Sequence, residues 1–379
     1  MDKDQPSLNR ADKKRWIDTD QSLDKTNAPS LYDKLSAAIF RARTCFERRK
    51  GACRPSLLFR ILFLIFIFPA GCSRPADPIL PPPPPSGWKT QDPGVQSSLG
   101  GLSFPNPDNG WISGNKGIIL HTNDRGKAWT IQETGTENLL VSLFFIDAER
   151  GWAVGDKGII LHTQDGGKKW SPQESGQKKN LTHVFFTDPQ HGWVSGEKGL
   201  LLSTEDGGQR WVPSKGGSTT TLNSIFFINP QQGWISGDGG YLLHTENGGS
   251  SWARQETGTQ KDIQRLFFIR PETGWAVGAN GTLLHTKDGG KKWSPQTSGV
   301  ESFLAGIFFI DDQKGWAVGA NGTIIHTRDG GITWKQQPSE TIQFLINVRF
   351  INPQIGWVVG TKGTLLHSEE GGEPPAVTH

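Results

Sequence analysis

The chain has 379 residues with 48 Gly, 24 Pro and 15 Trp, but one Met, two Tyr and three Cys. So much glycine points to many tight turns between short strands, and three cysteines exclude a disulfide scaffold or a Cys-rich zinc site. The net charge of +3 is unevenly placed: residues 87–379 carry 25 Lys and Arg against 28 Asp and Glu, so the basic excess belongs to the first 86 residues. A weakly acidic main body argues against nucleic acid as a partner.

In chain order, the first segment is a leader over residues 1–72. Its polar part ends in a basic cluster around Arg41, Arg43, Arg48, Arg49, Lys50 and Arg54. An apolar run, Leu57 to Phe68, follows. It is shorter than the ~20 residues a membrane-spanning helix needs, and a basic flank before a short apolar run predicts an export signal. The run leads into Ala70-Gly71-Cys72, which resembles the bacterial lipoprotein cleavage box with Cys72 as the lipidated residue. An ordinary signal peptide and an uncleaved anchor are the alternatives. Residues 73–86, with five consecutive prolines at 81–85, predict an extended stalk.

From residue 87 onward the chain repeats itself. A Gly-Trp pair places Trp at 111, 152, 193, 234, 275, 316 and 357, in steps of 41. A second series runs Trp129, Trp170, Trp211, Trp252, Trp293 and Trp334 at the same spacing. Its next member would fall at Pro375, whereas Trp88 stands one period before Trp129. The last repeat lacks its final strand and a spare copy precedes the first. That displacement predicts a ring closed by pairing the two chain ends, as in a β-propeller. We therefore expect an all-β fold over residues 87–379: a seven-bladed β-propeller.

Each unit reads as four strands. Val141 to Ile146 suits a buried inner strand and Gly151 to Gly155 a second strand. Gly158 to Thr163 is the third, and Lys168 to Gln173 an edge strand that tolerates Lys and Pro. The gap between Gly155 and Gly158 predicts a hairpin turn with positive φ. Asp165-Gly166-Gly167 predicts a turn whose carboxylate accepts backbone N–H bonds while the glycines take left-handed angles.

The unit Gly-Trp-Ala-Val-Gly-x-x-Gly-x-Ile/Leu-Ile/Leu-His-Thr-x-Asp-Gly-Gly-x-x-Trp resembles the repeat of the photosystem II stability and assembly factor family (Ycf48/HCF136-like), over about 290 residues from Trp88. The resemblance implies a non-enzymatic propeller on the lumenal or periplasmic side of a membrane. It would be lipid-anchored and monomeric, binding a membrane protein subunit or its soluble segment. Thr-x-Asp-Gly-Gly-x-x-Trp also resembles the Asp-box of sialidases, a motif that shapes a turn. The alternatives are an envelope propeller that binds a glycan or another envelope protein, and an Asp-box glycosidase. Sialidase chemistry needs a Tyr nucleophile and three Arg, and Tyr241, the one Tyr of the repeat region, stands where other blades carry apolar residues or Thr.

No catalytic residue, metal site or cofactor is expected. His121, His162, His244, His285, His326 and His367 recur once per blade, too dispersed for one ion, and read as a repeated structural hydrogen bond. Candidate partner-binding residues are those that break the repeat. Arg349 interrupts the inner-strand Phe series. Arg265 and His183 stand where other blades carry Gly, Ser or Asn, and if the inner strands line the channel, Arg265 and Arg349 would place positive charge in or near it. Arg270 replaces an Asn or Asp. Lys116, Lys157, Lys198 and Lys362 fall in the turns between second and third strands of four adjacent blades and predict a basic crescent, partly offset by Asp156 and Glu197.

Overall fold

In the computed structural model, residues 86–214 and 218–374 are described. The chain divides at Ala70/Gly71. The leader, Cys72 and the polyproline stalk lie outside the described residues, as does Pro375. Among the described residues no helix is long and apolar enough to cross a membrane.

The repeat builds seven four-stranded antiparallel sheets. Blade 2 is typical, with strands Leu140–Phe145, Gly151–Gly155, Ile160–Thr163 and Ser171–Gln173 from the axis outward. Inner strands of successive blades contact one another around the whole circle, including Leu99–Ser103 of blade 1 with Leu345–Phe350 of blade 7. The ring closes as expected: Gly87–Thr90 pairs antiparallel with Leu365–Gly372 and supplies the outer strand of blade 7.

The core is an aromatic stack repeated between blades. The Trp of each second strand lies flat on the inner-strand Phe of the next blade. Trp152 and Phe186 have centroids 3.6 Å apart and planes 13° apart, and Trp357 and Phe104 close the circle at 4.4 Å. The outer-strand Trp meets the same Phe edge-on, as Trp170 meets Phe145 at 5.8 Å and 88°. Trp88 takes this place in blade 7, at 5.7 Å and 76° from Phe350. Offset and edge contacts of this kind are the favoured geometries of aromatic pairs. Glycine before each second-strand Trp leaves room for the ring beneath it: a Cβ at Gly151 would run into Phe145.

The six histidines do something other than expected. Each ring stacks on the Trp of its own second strand, at 4.6–5.0 Å. Antiparallel pairing explains it, because Trp111 and His121 are cross-strand partners. Among the described residues the Nε2 atoms of His121, His244, His285, His326 and His367 have no hydrogen-bond partner. Burial lowers the pKa of all six, to about 4 for His285 and His326.

The Asp-box turns form as expected. Asp165 Oδ1 accepts from the Thr163 hydroxyl at 2.8 Å and from Lys169 N–H at 2.9 Å, with Gly166 and Gly167 at φ 71° and 86°. The sequence reading missed a second staple. The Gln132 side-chain amide spans two blades: Nε2 donates to Gly166 O at 2.8 Å and Oε1 accepts from Trp170 Nε1 at 3.2 Å. Gln173, Gln255 and Gln337 repeat both bonds.

Candidate functional site

The inner strands enclose a central channel. At one level it is walled by Phe144, Phe185, Phe226, Phe267 and Phe308, neighbouring centroids lying 4.9, 5.5, 5.6 and 5.3 Å apart. Arg349 and Ser103 occupy the two remaining blades. The Arg349 guanidinium lies 4.8 Å over the Phe308 ring. Two residues earlier on each strand comes a level of small and polar residues, among them Gly101, Ser142, His183, Arg265 and Asn347. Together these levels line a cavity of about 240 Å³.

Its electrostatics are one-sided. Arg265, Arg349 and His183 line the cavity, and no Asp or Glu among the described residues does. Burial pulls the Arg349 pKa down to about 10, so the guanidinium stays charged at neutral pH. Burial, aided by the Arg265 charge, holds His183 well below its ordinary value. His183 Nδ1 accepts the Ile225 N–H at 3.3 Å, which leaves Nε2 as the protonated nitrogen of a neutral ring. This lining can hold an anion among aromatic faces. It lacks the carboxylate pair that glycoside hydrolysis requires.

The four lysines lie elsewhere. Each is exposed at the first central position of a tight turn, with φ between 55° and 59°. In blade 2 the Ile159 N–H bonds Asp156 O across Lys157 and Gly158, both at positive φ. The turn is thus centred one residue later than the spacing suggested. These turns follow the end of the second strand, opposite Leu99 and its equivalents. The cavity reaches the other end of the inner strands, at Phe104 and Pro105. The structure therefore brings Arg265, Arg349 and His183 together and keeps the lysines on a separate face. Acidic groups interleave with them: Asn180 accepts the Lys157 N–H at 3.0 Å and donates to Glu197 Oε1 at 3.3 Å.

Two other departures are absorbed by the scaffold. Arg270 forms an ion pair with Asp312 of the next blade. Tyr241 lies beneath the Arg254 guanidinium, 4.6 Å from its ring centre, and is not part of the channel lining. The aromatic arc also packs against the cores of the blades. Its second role, as a channel wall, rests on the ring's curvature.

The model of the family described as photosynthesis system II assembly factor YCF48 matches residues 83–178, 172–261 and 296–375. The chain belongs to this family. Its members are assembly factors rather than enzymes, and membership makes this chain an assembly or stability factor of the photosystem II type. Among solved structures, YCF48 bound to D1 peptide superposes with TM-score 0.65 at 19% identity, covering 74% of this chain and 96% of that one. YCF48 from Cyanidioschyzon merolae gives 0.63 at 22%, covering 74% and 98%. The GH74 xyloglucanase from Xanthomonas campestris gives 0.63 at 13%, covering 78% of this chain and 55% of that one. At these identities the likeness concerns the fold. None of the curated protein sequences matches the chain.

Proposed function

We propose that this YCF48-family propeller acts by capturing a soluble segment of a membrane protein subunit. A lipid on Cys72 would hold the propeller at the periplasmic or lumenal surface, and it would work as a monomer. The observation that carries the reading is the family match together with a YCF48 of the same fold solved with a D1 peptide. A rigid ring with a channel and two open faces suits such a role, because a preorganised surface loses little entropy on binding.

The test is capture of clients from solubilised membranes by the tagged full chain, read by mass spectrometry. Enrichment of one integral membrane subunit is expected, and recovery of none would refute the reading. Charge reversal of Lys116, Lys157, Lys198 and Lys362 tests the crescent: loss of capture with unchanged melting supports it, and unaltered capture discards it. Cys72→Ser should release the chain from membranes, whereas retention without lipid would favour an uncleaved anchor.

A further inference from the structure

We infer that the central channel is a binding site for an apolar monocarboxylate, its carboxylate held by Arg349 and Arg265 and its hydrocarbon part by the arc of Phe226, Phe267 and Phe308. The inference does not depend on the identity of any client.

Arg349 is the observation that demands it. Five of seven blades place Phe at this level, so the ring is built to accept an aromatic side chain there. The chain instead carries a guanidinium stacked on Phe308. Among the described residues Arg349 makes no ion pair or hydrogen bond, and desolvation alone moves its pKa. The side chain is only partly exposed, at the channel, and a cation partly withdrawn from water with no anion beside it gains from a ligand that supplies the charge. Departures of this kind mark sites rather than scaffolding. A planar guanidinium suits a carboxylate in particular, since two parallel N–H···O bonds match its fork.

The rest of the lining narrows the class. Arg265 adds a second cation, and the neutral His183 adds an Nε2–H donor but no charge. The phenyl faces make a fully hydrated dianion such as phosphate a poor fit, because its desolvation would go uncompensated over the apolar arc. They suit a ring or short alkyl group. The volume of about 240 Å³ lies below the ~300–1,000 Å³ of drug-sized pockets, so the occupant is one such group plus its carboxylate. Both a free aryl or short fatty acid and the C-terminal residue of a polypeptide carry this chemistry.

The experiment is titration calorimetry on the full chain in detergent. 3-Phenylpropionate should bind at least tenfold more tightly than its neutral amide, and more tightly than inorganic phosphate. Arg349→Gln should abolish the difference between acid and amide, and Arg349→Lys should restore part of it. Lys335→Gln, at an exposed position of the outer strand of blade 6, should leave it unchanged. A pentapeptide ending in Phe, as free acid and as amide, separates the sources. Preference for the free-acid peptide over phenylpropionate assigns a chain terminus, and binding of phenylpropionate alone assigns a free acid. Equal binding of acid and amide by the unmodified protein would overturn the inference whatever the variants do. So would phosphate binding more tightly than either acid, or an unchanged acid preference in a folded Arg349→Gln.

Discussion

Removing the Trp88 indole tests the closure of the ring directly. Trp88 is 2% exposed, lies edge-on to Phe350 and donates Nε1–H to Gln337 Oε1 at 3.1 Å. Trp88→Ala removes that buried area, leaves a cavity against Phe350 and strands the Gln337 acceptor, itself 6% exposed. Large aromatic truncations cost ~3–5 kcal/mol, equivalent to a fall in melting temperature of ~5–8 °C in a domain of this size. Trp170→Ala is the matched control: its ring meets Phe145 at 5.8 Å and bonds Gln132 at 3.2 Å, within an uninterrupted blade. Both variants should melt early by similar amounts in calorimetry. Only Trp88→Ala should also speed amide exchange in Gly87–Thr90 and Leu365–Gly372, because these two strands are joined by pairing alone, with no hairpin between them. A normal melting temperature for Trp88→Ala beside a lowered one for Trp170→Ala would refute the account of closure.

Three further outcomes can be checked on the same instrument. Ser214 stands where other blades carry the stapling Gln, and among the described residues the Nε1 of Trp252 beside it has no partner. Ser214→Gln should therefore raise stability by ~1 kcal/mol, and a lowered melting temperature would show that the site cannot admit the longer side chain. Gly167 has φ 86° and a Cβ there would run into Gln132 Oε1. Gly167→Ala should destabilise by ~2 kcal/mol or more, and clearly more than Gly135→Ala, where nothing lies within 4 Å of the added atom. The stacked histidines make stability fall with acid. Their folded pKa values lie below the unfolded value, so the unfolded chain binds more protons and stability is lost as pH drops from ~6.5 toward about 4, the value of His285 and His326. A melting temperature flat between pH 7 and 5 would contradict this.

The blade count and the closure were legible because they depend on spacing alone. Trp88, one period before Trp129, needs no geometry to be recognised as a displaced outer strand. Contacts within a repeat were half legible. The ten-residue step from Trp111 to His121 is a cross-strand pair, but the spacing does not distinguish a hydrogen bond from a ring stack. Contacts between repeats were not legible. Gln132 reaches Gly166 and Trp170 of the next blade, and a pattern searched within one unit does not reveal it, although Gln91, Gln132, Gln173, Gln255, Gln296 and Gln337 share the 41-residue period. The channel residues were found as departures from the repeat. What they enclose follows from how seven inner strands curve around an axis.

A ring made of one unit seven times makes its departures informative, but not equally so. The lysines at the turns hold left-handed angles that disfavour an L-residue by ~1–2 kcal/mol. Asn280 and Asn321 hold the same angles, and the side chains remain in water beside acidic neighbours. Drift in sequence explains such positions without a ligand. Arg349 is different in kind. It puts a partly buried cation, stacked on Phe308, where five other blades carry Phe, and such a charge loses hydration when no counter-charge is present. A scaffold that merely tolerated variation would sooner admit Leu or Met there. The weight of the functional argument therefore falls on the channel, and the turn lysines follow from it only if a client bound in the channel also reaches the opposite face.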